Sequence, residues 1–315
     1  MAIYFLNLKT FGRANGSSAV SAAAYRAGER IRDERSGRTY DHSARKDVLH
    51  KEIILPSGVA GEAEAWAQDR ASFWNAAELA ETRRNARVAR EYLVVLPAEL
   101  KPEQRVALAS GFAHELSERY RFGVDLALHA PRAFPDSDPR NFHAHLLATT
   151  REITPQGLAG KTSLEWNDAK RAAAGLGPAI NELLHVRERW AVHANAQLRE
   201  ANIDARIDHR TLRAQGIDRD PLLWIPRVPY ELERRGFRSE VAENIRRQYQ
   251  ERAAAREAQQ KDLSPAEAWL KYKEDHVPQK SSYDAVQAWR KYREQNSNPD
   301  LGKEPQNGRD DDFSL

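Results

Sequence analysis

The chain has 315 residues, about two domains' length at roughly 150 residues each. Charged residues make up 30% and hydrophobic ones 41%, which excludes a collagen-like or wholly disordered chain and leaves a strongly polar surface. The formal charge of +3 is a weak pointer to a polyanionic partner. Cysteine is absent, so disulfides, thiolate metal sites and cysteine nucleophiles are excluded, and imidazole and carboxylate remain as metal ligands. No basic region followed by an apolar stretch opens the chain, and no apolar run approaches the ~20 residues that span a bilayer. A cytoplasmic chain without membrane insertion is expected.

Ile3–Leu8 predicts an opening strand, followed by a Gly/Ser/Asn-rich turn over Gly12–Ser18. Ser17 or Ser18 caps a small-residue helix from Ala19 to about Arg30, and Arg32–Tyr40 reads as a charged hairpin tip. A helix is expected over Glu62–Thr82, a strand over Glu91–Leu96 ending at Pro97, and a helix over Pro102–Tyr120 with Pro in its first turn. Strands over Gly123–His129 and Phe142–Thr150 flank the Pro-rich loop Ala130–Arg140, and helical patterns resume over Ser163–Glu200. The expected fold is α+β, with a central antiparallel sheet flanked by helices. From about Val228 the chain turns polar and reads as exposed helices, carrying two related boxes at Ala268–Glu274 and Ala288–Glu294 before the acidic tail Asp310–Leu315.

His143-Ala-His145 places two imidazoles on one face of a strand, where they can share a metal ion. An antiparallel return through the Pro-rich loop brings His129 alongside as a third ligand. The competing reading is two solvent-facing histidines that fall two apart by chance. Glu91, opening a strand, could hydrogen-bond a ligating histidine or lie solvated at a sheet edge. Tyr25 shares a nearly bare helical face with Ser18 and Ser21 or Ala22, open to a phosphate backbone, and reads equally well as a core aromatic. The first 50 residues hold nine Lys or Arg against five Asp or Glu, with Arg26, Arg30, Arg32, Arg35 and Arg38 clustered after Tyr25. That excess is suited to tracking phosphates, or is simply a solvated face.

Together these stretches resemble the MobA/MobL (MobQ-type) relaxases, members of the histidine–hydrophobe–histidine endonuclease superfamily. The likeness spans about residues 1–226. It rests on Met1–Leu6 with Ser17–Arg26, on Glu91–Leu100, on Leu128–Pro131 with Asn141–Arg151, and on Arg206–Ile217. One departure is Pro221-Leu-Leu-Trp-Ile-Pro226, where family members often carry a Pro…His…Gly stretch. At 315 residues, none of the helicase or primase domains of large relaxases is expected here.

The resemblance implies a relaxase nicking domain over 1–226 and a helical, polar arm over 227–315. It implies Tyr25 as nucleophile, Glu91 as the active-site acid, and His129, His143 and His145 as ligands of one divalent ion, with Mg²⁺ or Mn²⁺ expected ahead of Zn²⁺. The implied activity is strand-specific nicking of single-stranded DNA at a plasmid origin of transfer, through a 5′-phosphotyrosine that later permits rejoining. Implied partners are relaxosome accessory proteins and a type IV coupling protein, with export to a recipient cell while joined to the DNA. The alternatives are a rolling-circle replication initiator, a non-catalytic single-stranded DNA-binding protein and, more weakly, a zinc hydrolase. The tyrosine standing before the metal histidines favours the relaxase order over the initiator.

Overall fold

A computed structural model describes residues 2–59, 62–131, 138–217, 223 and 225–261. The chain divides into two compact units, Met1–Arg210 and Thr211–Leu315. In chain order the first unit holds β1 (Leu6–Gly12), α1 (Ala19–Ala27), β2 (Arg30–Arg32), β3 (Thr39–Asp41), β4 (Val48–Ile54), α2 (Glu62–Gln68), α3 (Arg70–Leu79) and β5 (Arg87–Val95). It continues with α4 (Pro102–Tyr120), β6 (Phe122–His129), β7 (His143–Thr154), β8 (Gly157–Lys161), α5 (Asp168–Ala173) and α6 (Ala179–Glu200). In the second unit, α7 (Arg227–Arg234) and α8 (Glu240–Lys261) are joined by an ion pair from Arg246 to Glu233 at 2.6 Å.

The main sheet runs β1-β5-β7-β6-β4, with β8 pairing β7, and every neighbouring pair is antiparallel. Strand alternation sorts side chains between two cores. Tyr92, Val94, Leu126, Ala144, Leu146 and Ala148 pack with Leu108, Phe112, Leu116 and Trp190 of α4 and α6. On the other face, Phe11, Ala89 and Leu147 pack with the alanines of α1 and with Phe73 and Trp74 of α3. The sheet is therefore a middle layer, and β6 is buried along its whole length.

Buried charge anchors the α1–α3 layer. Arg70 grips Asp125 of β6 with Nε to Oδ2 at 2.8 Å and Nη2 to Oδ1 at 3.0 Å, and Trp74 Nε1 donates to Oδ2 at 2.8 Å. Glu78 of α3 accepts from the Ala19 amide at 2.8 Å, which places an anion at the start of α1 and favours the helix dipole. Arg13 and Arg35 complete that site at 2.8 and 2.9 Å.

Several boundaries differ from the expected ones, for local reasons. The first strand starts at Leu6, because Ile3 and Phe5 are exposed, and continues through Lys9 and Thr10 as a solvated edge. α1 ends at Ala27, where Gly28 takes up left-handed backbone (φ 61°) and its amide bonds back to Ala24. The expected helix over 62–82 breaks at Asp69, whose side chain caps α3 by accepting from the Ser72 amide at 2.7 Å. Glu91 lies inside β5, not at its start, because the strand begins at Arg87. Two strands, β4 and β8, have no counterpart among the expected elements.

Candidate active site

Register builds the site. His129 pairs directly with His143 across β6 and β7, His145 follows on the same face, and β5 brings Glu91 opposite Leu147. All of these side chains emerge on the face covered by α1. The three imidazole centroids lie 4.6 to 5.3 Å apart, and one ring nitrogen from each falls within 4.8 Å of the others. Among the described residues this is the one cluster of three or more such side chains with that spacing. The expected antiparallel return of His129 is thus present.

Each histidine is also oriented from behind. His145 Nδ1 donates to Glu91 Oε1 at 2.6 Å, His129 Nε2 to the Arg26 carbonyl at 2.7 Å, and His143 Nδ1 to the Asn141 carbonyl at 3.0 Å. These acceptors hold the proton on one nitrogen of each ring, as the supporting partners of metal-ligating histidines do, and the other nitrogen of His129, Nδ1, faces the Arg45 guanidinium. Burial pushes His129 down to about 3, aided by the neighbouring His145, Arg45 and His143. Burial likewise pushes His145 down, against the pull of Glu91. Both rings are therefore neutral at neutral pH. The donor set fits a divalent cation: three imidazoles, with His129 and His145 held neutral, that would leave coordination positions for other ligands.

Glu91 is the hub beneath them. Burial raises its carboxyl, but hydrogen bonds from His145 and Arg26 outweigh that and hold it at about 2. At neutral pH it is a carboxylate, so it accepts hydrogen bonds and orients His145 instead of delivering a proton. Arg26 closes the circuit, since its guanidinium pairs with Glu91 and donates from Nη1 to the Ala22 carbonyl at 2.8 Å, while its own carbonyl accepts from His129.

Tyr25 precedes Arg26 on α1 and is half-buried, not a core residue. Its ring meets His42 edge-on at 5.2 Å, and the Arg45 guanidinium lies over its face at 4.3 Å. Arg45 also donates to the Tyr25 carbonyl at 2.5 Å and comes within 3.3 Å of His129 Nδ1. The structure thus gathers Glu91 and the three histidines together and sets the helix that carries Tyr25 against them. Sequence reasoning missed Arg45, Asp47 and the role of Arg26. The Arg-x-Asp spacing at 45–47 carries no signal without its distant partners.

A family model described as the MobA/MobL family matches residues 17–235. The chain is 38% identical to the mobilization protein MobL of Acidithiobacillus ferridurans, over 82% of this chain and 71% of that protein. It is 35% identical to mobilization protein A of Escherichia coli, over 77% of this chain but only 32% of that protein. The chain belongs to the MobA/MobL family. It is a conjugative DNA relaxase, and the replication-initiator and non-catalytic readings are not favoured. A solved structure concerned with the molecular basis of vancomycin resistance transfer in Staphylococcus aureus shares the fold, at 27% identity and a TM-score of 0.53, covering 67% of this relaxase and all of that chain. No described helix of the relaxase is long and apolar enough to cross a membrane.

Proposed function

We propose that the chain nicks one strand at a plasmid origin of transfer, with Tyr25 as nucleophile and His129, His143 and His145 as metal ligands. The tyrosine oxygen forms a bond to phosphorus while the bond from phosphorus to the 3′ oxygen breaks. The proton lost by the phenol is balanced by the one gained at the 3′ hydroxyl. The product is a 5′-phosphotyrosine, and one phosphodiester is exchanged for another, so rejoining needs no nucleotide cofactor. The observation that supports this most directly is the histidine cluster joined to the tyrosine's helix through Arg26.

A divalent ion, Mg²⁺ or Mn²⁺ ahead of Zn²⁺, would polarise the scissile phosphate and offset the charge that builds on its oxygens. The protein's part is to hold the three imidazoles in place, to keep Glu91 ionised beneath them, and to fix α1 against the sheet. Phosphates along the single strand are contacted by the basic β2–β3 hairpin, where Arg30, Arg32 and Arg38 are exposed.

The nicking domain extends over 1–226, and 227–315 form an arm that contacts relaxosome accessory proteins and a type IV coupling protein. The relaxase acts in the cytoplasm and is exported while joined to the DNA. The two Ala-Trp-x-Lys-Tyr-x-Glu boxes and the acidic tail lie outside the described residues. The test is nicking of an end-labelled origin oligonucleotide with Mn²⁺. Chelation and His143→Ala should each abolish cleavage while lowering DNA affinity far less, since affinity rests on Arg and Lys. Undiminished cleavage in excess chelator contradicts the reading.

A further inference from the structure

The Tyr25 ring and the histidine cluster share a single guanidinium. Arg45 lies between β3 and β4, on a segment packed under the last turn of α1, where a Cβ at Gly28 would stand 3.5 Å from Arg45 Cβ and 3.1 Å from Val48 Cγ2. Asp47 holds the guanidinium in a two-point grip, with Nε to Oδ1 at 2.8 Å and Nη2 to Oδ2 closer still. From that position it covers the Tyr25 ring face at 4.3 Å, donates to the Tyr25 carbonyl and approaches His129 Nδ1 at 3.3 Å. His42 closes the ring's edge at 5.2 Å.

We propose that Arg45, aligned by Asp47, is the positioning residue that holds the Tyr25 phenol in its attacking orientation beside the histidine cluster. The inference rests on the reading of Tyr25 as nucleophile. A cation over an aromatic face is attracted by the ring's electron density, and that attraction grows as the phenol gives up its proton. Arg45 therefore restrains the ring before attack and favours the same placement when the tyrosine becomes the leaving group in rejoining. In attack, the bond from the tyrosine oxygen to phosphorus forms as the bond to the 3′ oxygen breaks; in rejoining the two exchange roles. A flat guanidinium in a fork geometry meets these demands simultaneously, whereas a lysine ammonium supplies charge without the flat face or the fixed direction.

The test uses the full chain and the Mn²⁺-loaded protein. Single-turnover cleavage of the origin oligonucleotide is compared for the wild type, Arg45→Ala, Arg45→Lys and Tyr25→Phe, with Mn²⁺ binding measured by calorimetry and DNA binding measured in chelator. Misplacement of an attacking group costs on the order of 10²-fold in rate, and Arg45→Ala should show a loss of about that size with Mn²⁺ and DNA affinities kept within about threefold. Arg45→Lys should recover only a small part of the rate, and free guanidinium ion should restore cleavage to Arg45→Ala better than an alkylammonium ion does. A merely structural role would not produce that selective rescue. Wild-type cleavage by Arg45→Ala, or a loss that follows weakened Mn²⁺ binding or unfolding and is not rescued, overturns the proposal. If Tyr25→Phe is inactive while Arg45→Ala is unimpaired, the Arg45 proposal alone fails; if Tyr25→Phe cleaves normally, the nucleophile reading fails with it.

Discussion

Glu91 joins the buried Arg26 guanidinium to His145 of the histidine cluster, and its removal has consequences at both ends. Glu91→Ala leaves Arg26 without its buried carboxylate, and breaking such a pair costs about 3–5 kcal/mol. Glu91→Gln keeps an acceptor for His145 Nδ1 but loses the charge, and removing support of this kind lowers metal affinity by about 10–100-fold. Thermal melts and Mn²⁺ calorimetry check both expectations; unchanged melting of Glu91→Ala contradicts the first. The native carboxyl, held at about 2, lies below its ordinary value of 4.5. Its stabilising contribution is therefore complete above about pH 4.5 and is lost as pH falls toward 2. Melting temperature should decline over that window, and the decline should be shallower in Glu91→Gln.

The site residues differ in how far the sequence alone reveals them. His143 and His145 follow from a two-residue period on a strand, and His129 from the strand before. Tyr25 stands out only through the family likeness, because a tyrosine after three alanines is equally suited to a core. Arg26 and Arg45 are not identifiable from sequence, because the Glu91 and His129 side chains they meet lie 65 and 84 residues away and only the packing of α1 and the β3–β4 segment on the sheet brings them together.

At the level of elements, α4 has the ends its sequence predicts, because its pattern is long and its Pro102 sits in the first turn. β4 escapes such a reading because it is an edge strand that keeps His50, Lys51 and Glu52 at least partly in water, so no apolar run announces it. The break between α2 and α3 has a signal, Asp69 three residues before Ser72, hidden inside a continuous helix-forming composition. Gly123 shows a constraint of another kind. A Cβ there would come within 2.6 Å of the fully buried Phe73 ring, so β6 and α3 approach as closely as they do only because this residue has no side chain. Gly123→Ala should destabilise the relaxase by about 1–3 kcal/mol, the usual cost of overpacking a core, as measured by urea unfolding. A wild-type midpoint would show that α3 is free to shift.

At the scale of the whole molecule, the sheet separates two tasks. One face packs against α4 and α6 and supplies stability; the other carries the histidines, Glu91 and the tyrosine's helix. The basic hairpin belongs to the same half of the chain as Tyr25, so Arg32→Ala with Arg38→Ala should weaken oligonucleotide binding. It should also reduce the slope of log affinity against log salt by about 0.7 for each phosphate no longer neutralised, as titrations at several salt concentrations would reveal. An unchanged slope would remove the hairpin from the DNA path. Ending the chain after Arg235, where the family match stops, should leave oligonucleotide nicking intact and reduce transfer between cells. Loss of nicking would place residues of the arm in the catalytic unit.

The central claim is covalent chemistry at one oxygen. Tyr25→Phe removes that oxygen and keeps the ring beneath Arg45, so folding and oligonucleotide binding should persist. The decisive measurement is mass-spectrometric mapping of the peptide that carries DNA after reaction with an origin oligonucleotide and Mn²⁺. The wild type should yield a fragment joined through its 5′ phosphate to Tyr25, and Tyr25→Phe should yield no adduct while still shifting the oligonucleotide on a gel. An adduct on another tyrosine, or cleavage that leaves only free ends, would contradict this mechanism.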